Sequence, residues 1–270
     1  MNSSRLLWRS VGALALLSTL LFVSGFVYAV HSIMRPQPGI IAAPEEKPEE
    51  ELAGADKIQI VALGDSLTRG TGDRTGKGYV GRVKELLEQS ADKPVYVLAN
   101  YSVNGYTTDR LLNDLLNRSE VPAAIGKADL VLLSIGGNDL LGFATANGGP
   151  PQSGQAEIDP QEAGRRLPEA AARLEAIIGK IAEANPRATI IYVGLYNPFQ
   201  DIDESGAGSL VIDEWNRQAF RIANRYPNVI VVPTFDLFGK NMAKYLYSDH
   251  FHPNDDGYRR IAERIMQALE

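Results

Sequence analysis

The chain reads as an α/β protein: a three-layer α/β/α domain built on a five-stranded parallel sheet, preceded by one N-terminal transmembrane helix. Three observations predict this. Five short β-branched or aliphatic runs recur between residues 58 and 232, amphipathic stretches separate them, and one long uncharged apolar segment stands near the N-terminus. Strands that are apolar throughout are buried on both faces. Their alternation with helices calls for right-handed crossovers, and hence for parallel strands covered on both sides.

Taken in order, the first element is the segment from Ser10 to Val30, which carries no charge and follows Arg5 and Arg9. About 20 apolar residues cross ~30 Å of hydrocarbon, whereas the core of a cleaved signal peptide runs to only ~7–15. A small-x-small cleavage site is met only loosely by Val27-Tyr28-Ala29. The expectation is therefore an uncleaved anchor within residues 1–34, secretion after cleavage being the alternative. The arginines ahead of the segment place the N-terminus in the cytoplasm and the remainder on the extracytoplasmic side.

Residues 35–56 shift to Pro, Glu and Ala, with Pro36, Pro38, Pro44 and Pro48 beside an acidic cluster from Glu45 to Glu51. Such a stretch cannot bury enough apolar surface to order itself and reads as a semi-extended linker. The folded domain is expected over 57–270. Its strands are read at Ile58–Leu63, Val95–Leu98, Leu130–Ile135, Thr189–Val193 and Val229–Val232. Helices are read at Tyr79–Ser90, Thr108–Asn117, Leu167–Ala184, Ile212–Arg225 and Gly257–Leu269. In the third of these, Leu167, Leu174, Ile177, Ile178 and Ile181 recur at three- and four-residue spacing, a stripe that faces a core. A Gly-, Pro- and Ser-rich run from Gly142 to Pro160 interrupts the alternation as a surface loop.

Composition excludes several function classes. At 270 residues, 44% hydrophobic and 22% charged, there is room for one sizeable domain. A net charge of -6 without a basic stripe argues against nucleic-acid binding, which takes clustered Lys and Arg. The absence of cysteine removes disulfides, thiolate nucleophiles and Cys-based zinc sites.

Ligands of open parallel sheets bind beyond the carboxyl ends of the strands. Gly64-Asp65-Ser66-Leu67 follows the first strand, Asn104-Gly105 the second and Gly136-Gly137-Asn138-Asp139 the third, while Asp249-His250-Phe251-His252-Pro253 lies past the fifth. A serine on such a turn with a distant acid and histidine is what acyl transfer needs. The hydroxyl is a weak nucleophile until an imidazole takes its proton, and a carboxylate holds that imidazole in the right tautomer. Of three histidines, His31 adjoins the apolar segment, leaving His250 and His252 as candidate bases.

These blocks, Gly64-Asp65-Ser66-Leu67, Gly105, Gly137-Asn138-Asp139 and Asp249-x-x-His252, resemble in content and order the four signature blocks of the SGNH, or GDSL-type, hydrolase superfamily. The resemblance runs from about Ile58 to the C-terminus and implies a flavodoxin-like strand order. It implies a serine esterase or lipase with Ser66 as nucleophile, His252 as general base and Asp249 as its orienter. The oxyanion hole would comprise the backbone N–H groups of Ser66 and Gly105 and the side chain of Asn138. It implies no metal or organic cofactor and a small-molecule or lipid ester as substrate. With the membrane segment, acyl lipids and lysophospholipid-like esters come first, and O-acetyl groups of cell wall or polysaccharide next.

Each residue also has a plainer role. Ser66 suits a helix start, Asp65 a helix cap, Gly105 and Gly137 turns of positive φ, and Asn138 and Asp139 the backbone groups of a loop. His250 reads as a group that supports the site from behind or lines the pocket. Asp249, His250 and His252 as metal ligands, two histidines two apart with one acid, lack clear further partners to complete a site. A non-catalytic binding module on the same fold is the remaining alternative. Gly72 to Gly78 looks like a phosphate loop but has Thr71 and Gly78 where Gly and Ser/Thr are required. Thr68 likewise breaks a Gly-x-Ser-x-Gly elbow.

Overall fold

The computed structural model describes residues 3–34, 57–141, 159–201, 203–239 and 242–270; the expected linker and all but the end of the Gly142–Pro160 loop lie outside them. The chain divides into two units, Met1–Ala55 and Asp56–Glu270. The first contains helix α1, Ser3–Met34. Among the described residues no helix is long and apolar enough to cross a membrane, so the expected transmembrane helix has no support from the structure.

In the second unit the order is β1 (Ile58–Gly64), α2 (Ser66–Arg69), α3 (Gly78–Ala91), β2 (Val95–Asn100), α4 (Thr108–Asn117), α5 (Glu120–Ile125), β3 (Leu130–Ser134) and α6 (Gly137–Leu141). There follow α7 (Pro160–Ala184), β4 (Thr189–Val193), α8 (Ala207–Ala223), β5 (Val229–Val232), α9 (Phe235–Phe238), α10 (Met242–Tyr245) and α11 (Asp255–Leu269). All pairings are parallel and the strands lie in the order β2-β1-β3-β4-β5. The sheet is thus the one expected.

Its period-two geometry divides the core. Val61, Leu63, Val131, Leu133 and Tyr192 point to one face, where they meet Leu111 of α4, Leu174 and Ile178 of α7 and Trp215 of α8. Ile60, Ala62, Leu132 and Ile191 point to the other, against Tyr79 and Val83 of α3 and Tyr258 and Ile261 of α11. Two apolar layers on one sheet explain why the strands lack polar alternation.

Boundaries shift where capping chemistry decides them. Helix α7 starts seven residues earlier than its apolar stripe, because Asp159 accepts hydrogen bonds from the Gln161 and Glu162 N–H groups and Pro160 suits the first turn. Helix α11 starts at Asp255, capped by Asn254, with Asp255 and Asp256 favourably placed at the positive end of the helix dipole. Strand β1 gains Gly64, whereas β3 stops at Ser134, one residue short of the apolar run.

Candidate active site

The carboxyl ends of β1 and β3 hold the first half of the site. Gly64 at φ 131° pairs with Ser134, and a Cβ placed on it would lie 1.8 Å from the Ser134 carbonyl oxygen. Only a residue without a side chain lets the two strand ends approach this closely. The chain then turns into α2, a single turn capped by Asp65, whose Oδ1 accepts from the Leu67 N–H at 3.1 Å, and closed by Gly70 in the left-handed region. Ser66 therefore stands on the first residue of that turn, 6% exposed.

Ser66 Oγ lies 2.8 Å from His252 Nε2, and His252 Nδ1 lies 2.7 Å from Asp249 Oδ2. Three residues that span most of the domain in sequence are thereby within bonding reach. Asp249 Oδ1 also accepts the N–H groups of Phe251 and His252, each at 3.0 Å, so the carboxylate organises its own loop. Burial alone would raise the Asp249 pKa, but these bonds and the His252 ring outweigh it and hold the group below its ordinary value. The loop is fastened from outside as well. The Tyr196 hydroxyl donates to the Phe251 carbonyl at 2.7 Å, and the Tyr247 N–H donates to the His252 carbonyl at 2.7 Å. Gly72 packs against the same loop: a Cβ there would come 2.6 Å from the Pro253 carbonyl oxygen and 3.1 Å from the His252 Cβ.

Asn138 and Asp139, at the start of the helix after β3, grip the loop that carries Gly105. Asn138 Nδ2 donates to the Tyr106 carbonyl at 2.7 Å, and Asp139 accepts from the N–H and hydroxyl of Thr108. An amide nitrogen carries two hydrogens, so this bond leaves Asn138 a second N–H to donate. Burial raises the Asp139 pKa, against bonds from Thr108 and the charge of Arg173. Gly105 itself is buried and left-handed at φ 73°.

Ser66, Asn138 and His252 line a cavity of about 40 Å³ whose other walls include Leu141, Leu195, Ile212 and Phe251. Gly105 is not in that lining. A larger groove of about 710 Å³ between α7 and α8, near Leu167, Ala171 and Leu210, contains none of the four sequence blocks; chemistry, not size, marks the site.

Two expectations need correction. Gly137 does not take positive φ; that role falls to Gly136 at φ 115°, where a Cβ would strike the Trp215 ring at 2.1 Å. His250 is exposed and left-handed at φ 54°, outside the cavity lining. Among the described residues no group of three His, Cys, Asp or Glu is placed to hold a metal.

Asp65, next to Ser66 in the chain, is a buried carboxyl. Burial pushes its pKa up to about 6, against opposing bonds from Ser134 and Leu67. A folded pKa above the unfolded one favours the protonated fold, so this contribution is complete below pH ~4 and is lost as pH rises through about 6. Asp65→Asn, neutral at every pH, should therefore gain stability over wild type on going from pH 4 to pH 8, by on the order of 2–3 kcal/mol at ~1.4 kcal/mol per pKa unit. Thermal unfolding at both pH values measures it; an equal difference in Tm at the two would refute it.

A protein-family model described as the GDSL-like lipase/acylhydrolase family matches residues 62–260. The chain belongs to this family. It is a serine ester hydrolase, and it resembles two curated Bacillus proteins and one solved lipase. YpmR of Bacillus subtilis (strain 168) is 35% identical over 246 residues, covering 90% of this chain and 91% of its own. The spore germination lipase LipC of Bacillus licheniformis is 26% identical over 78% of this chain and 96% of its own. The lipase Lip_vut3 from a goat rumen metagenome aligns with a TM-score of 0.65 at 26% identity, over 78% of this chain and 97% of that one. Ser134, Thr68, Tyr79 and Tyr196 belong to none of the four sequence blocks and take their places around them only through the fold.

Proposed function

We propose that the domain hydrolyses carboxylic esters through an acyl-enzyme on Ser66, with His252 as general base and acid and Asp249 as orienter. The observation that carries this reading is the unbroken line from Ser66 Oγ through His252 to Asp249, at 2.8 and 2.7 Å. His252 takes the hydroxyl proton as Ser66 attacks the carbonyl carbon, returns it to the leaving alkoxide, and then activates water against the acyl-enzyme. The oxyanion is assigned to the N–H groups of Ser66 and Gly105 and to the Asn138 amide. One such donor typically supplies ~2.7–4 kcal/mol.

The apolar lining by Leu141, Leu195, Ile212 and Phe251 favours an apolar acyl group, and relatives named as lipases agree with acyl lipids or lysophospholipid-like esters as substrates. A second reading, an O-acetyl esterase, is favoured by the cavity's size. A void of ~150 Å³ takes a benzene ring, so about 40 Å³ encloses only the first carbons of a chain. Rates on p-nitrophenyl esters from acetate to palmitate separate the two. Action outside the cytoplasm, with the leading segment holding the enzyme at a membrane, is the finer part of the proposal. It is supported by the uncharged stretch after Arg5 and Arg9 alone, and cell fractionation tests it.

A fluorophosphonate probe should label the wild type and not Ser66→Ala, and a chelator should leave the rate unchanged. An unlabelled, folded wild type would defeat the serine mechanism and leave the binding-module alternative.

A further inference from the structure

Ser134 closes β3 beside the nucleophile turn, fully buried, and bonds that turn on both sides of Ser66. Its carbonyl accepts from the Asp65 N–H at 3.1 Å, its hydroxyl donates to Asp65 Oδ1 at 2.7 Å, and the same oxygen accepts from the Thr68 N–H at 3.1 Å. Thr68 Oγ1 lies 2.7 Å from Ser134 Oγ and 2.6 Å from the Tyr79 hydroxyl, and neither Thr68 nor Tyr79 is more than 1% exposed.

The donor inventory gives this chain one direction. An ionised Asp65 only accepts, so the single hydroxyl proton of Ser134 is committed to it. Thr68 must then donate its own to Ser134, and Tyr79 must donate to Thr68. The result runs Tyr79 to Thr68 to Ser134 to Asp65 with each hydroxyl proton used. Removal of one member leaves buried groups without partners, which is more disruptive than the loss of an exposed bond.

We propose that Ser134 is a positioning residue for the nucleophile: its hydroxyl, supported by Thr68 and Tyr79 and ending on Asp65, fixes the turn that aims the Ser66 side chain at His252 and the Ser66 N–H at the oxyanion. The inference rests on the reading of Ser66 as nucleophile. Ser134 does not line the cavity and its hydroxyl bonds run to Asp65 and Thr68, so its contribution lies in alignment. Misplacement of a reacting group by about 1 Å is enough to lower a rate ~10²-fold.

The test combines steady-state hydrolysis of a p-nitrophenyl ester with the rate of fluorophosphonate labelling. Ser134→Ala should lower kcat roughly 10–100-fold with KM changed less than about twofold, and should slow labelling by a similar factor. Thr68→Val, which keeps the shape and the Thr68 N–H but removes the hydroxyl, should lower kcat with KM likewise little changed, and Thr68→Ser should recover most of the loss. A folded Ser134→Ala enzyme with wild-type kcat and labelling, or one whose loss lies entirely in KM, overturns the proposal. Should Ser134→Ala fail to fold, equal kcat for Thr68→Val and Thr68→Ser overturns it instead. Failure of the wild type to label removes the nucleophile assignment and this inference with it, whereas normal labelling of wild type and Ser134→Ala alike removes the inference alone.

Discussion

Replacing His252 by alanine is expected to lower kcat by roughly 10⁴–10⁶-fold while KM changes little, since loss of the base from such a unit removes nearly all that the unit contributes. The Ser66 hydroxyl then has no acceptor in place of Nε2, now 2.8 Å away, and must ionise against its own pKa. The Asp249 carboxylate keeps its bonds from the Phe251 N–H and the residue-252 N–H, so the loop is expected to remain in place and the loss to be chemical. Asp249→Asn should fall less far, by about 10³–10⁴-fold, because the imidazole stays but loses its orientation. Single-turnover hydrolysis of an activated ester measures both. A His252→Ala enzyme retaining more than about a tenth of wild-type activity would show that another group serves as base.

Gly64→Ala carries the largest expected effect on stability. The new methyl would need to occupy a position 1.8 Å from the Ser134 carbonyl oxygen and 3.0 Å from its nitrogen, and both atoms belong to the backbone of the central strand β3. Neither can retreat without opening the β1–β3 ladder, and φ of 131° adds a conformation that L-residues rarely adopt. A loss on the order of 3–5 kcal/mol follows, a fall in Tm of about 6–20 °C for a domain of this size. Gly206→Ala is the control: φ is also positive, at 69°, but nothing lies within 4 Å, so only the ~1–2 kcal/mol of left-handed strain remains. Equal Tm for the two variants would show that the close approach of the strands is not what selects Gly64.

The fold was legible wherever a periodic pattern reports burial. Five apolar runs became five parallel strands because double-sided burial removes alternation, and Leu167 to Ile181 became one face of a helix. Ends of elements were less legible, since Asp159 and Asn254 act through side-chain bonds to the following turn and not through hydropathy. The candidate site was legible as short blocks placed after strands, since a residue just past a parallel strand has little choice of where to stand, and Ser66, Asp249 and His252 do meet there. What escaped was the support. Ser134 reads as an unremarkable end to an apolar run, Thr68 only as the absence of a glycine, and Tyr196 as one more aromatic after β4. Their partners lie 66 and 55 residues away in sequence, beyond the reach of any local pattern.

Asp249 and His252 are three residues apart on one short loop, which Tyr196 ties to the end of β4, whereas Ser66 arrives from the opposite end of the domain sequence. Acid and imidazole consequently share one short loop and its internal bonds. Any displacement of that loop would separate the imidazole from the Ser66 hydroxyl while leaving its own bond to the Asp249 carboxylate in place.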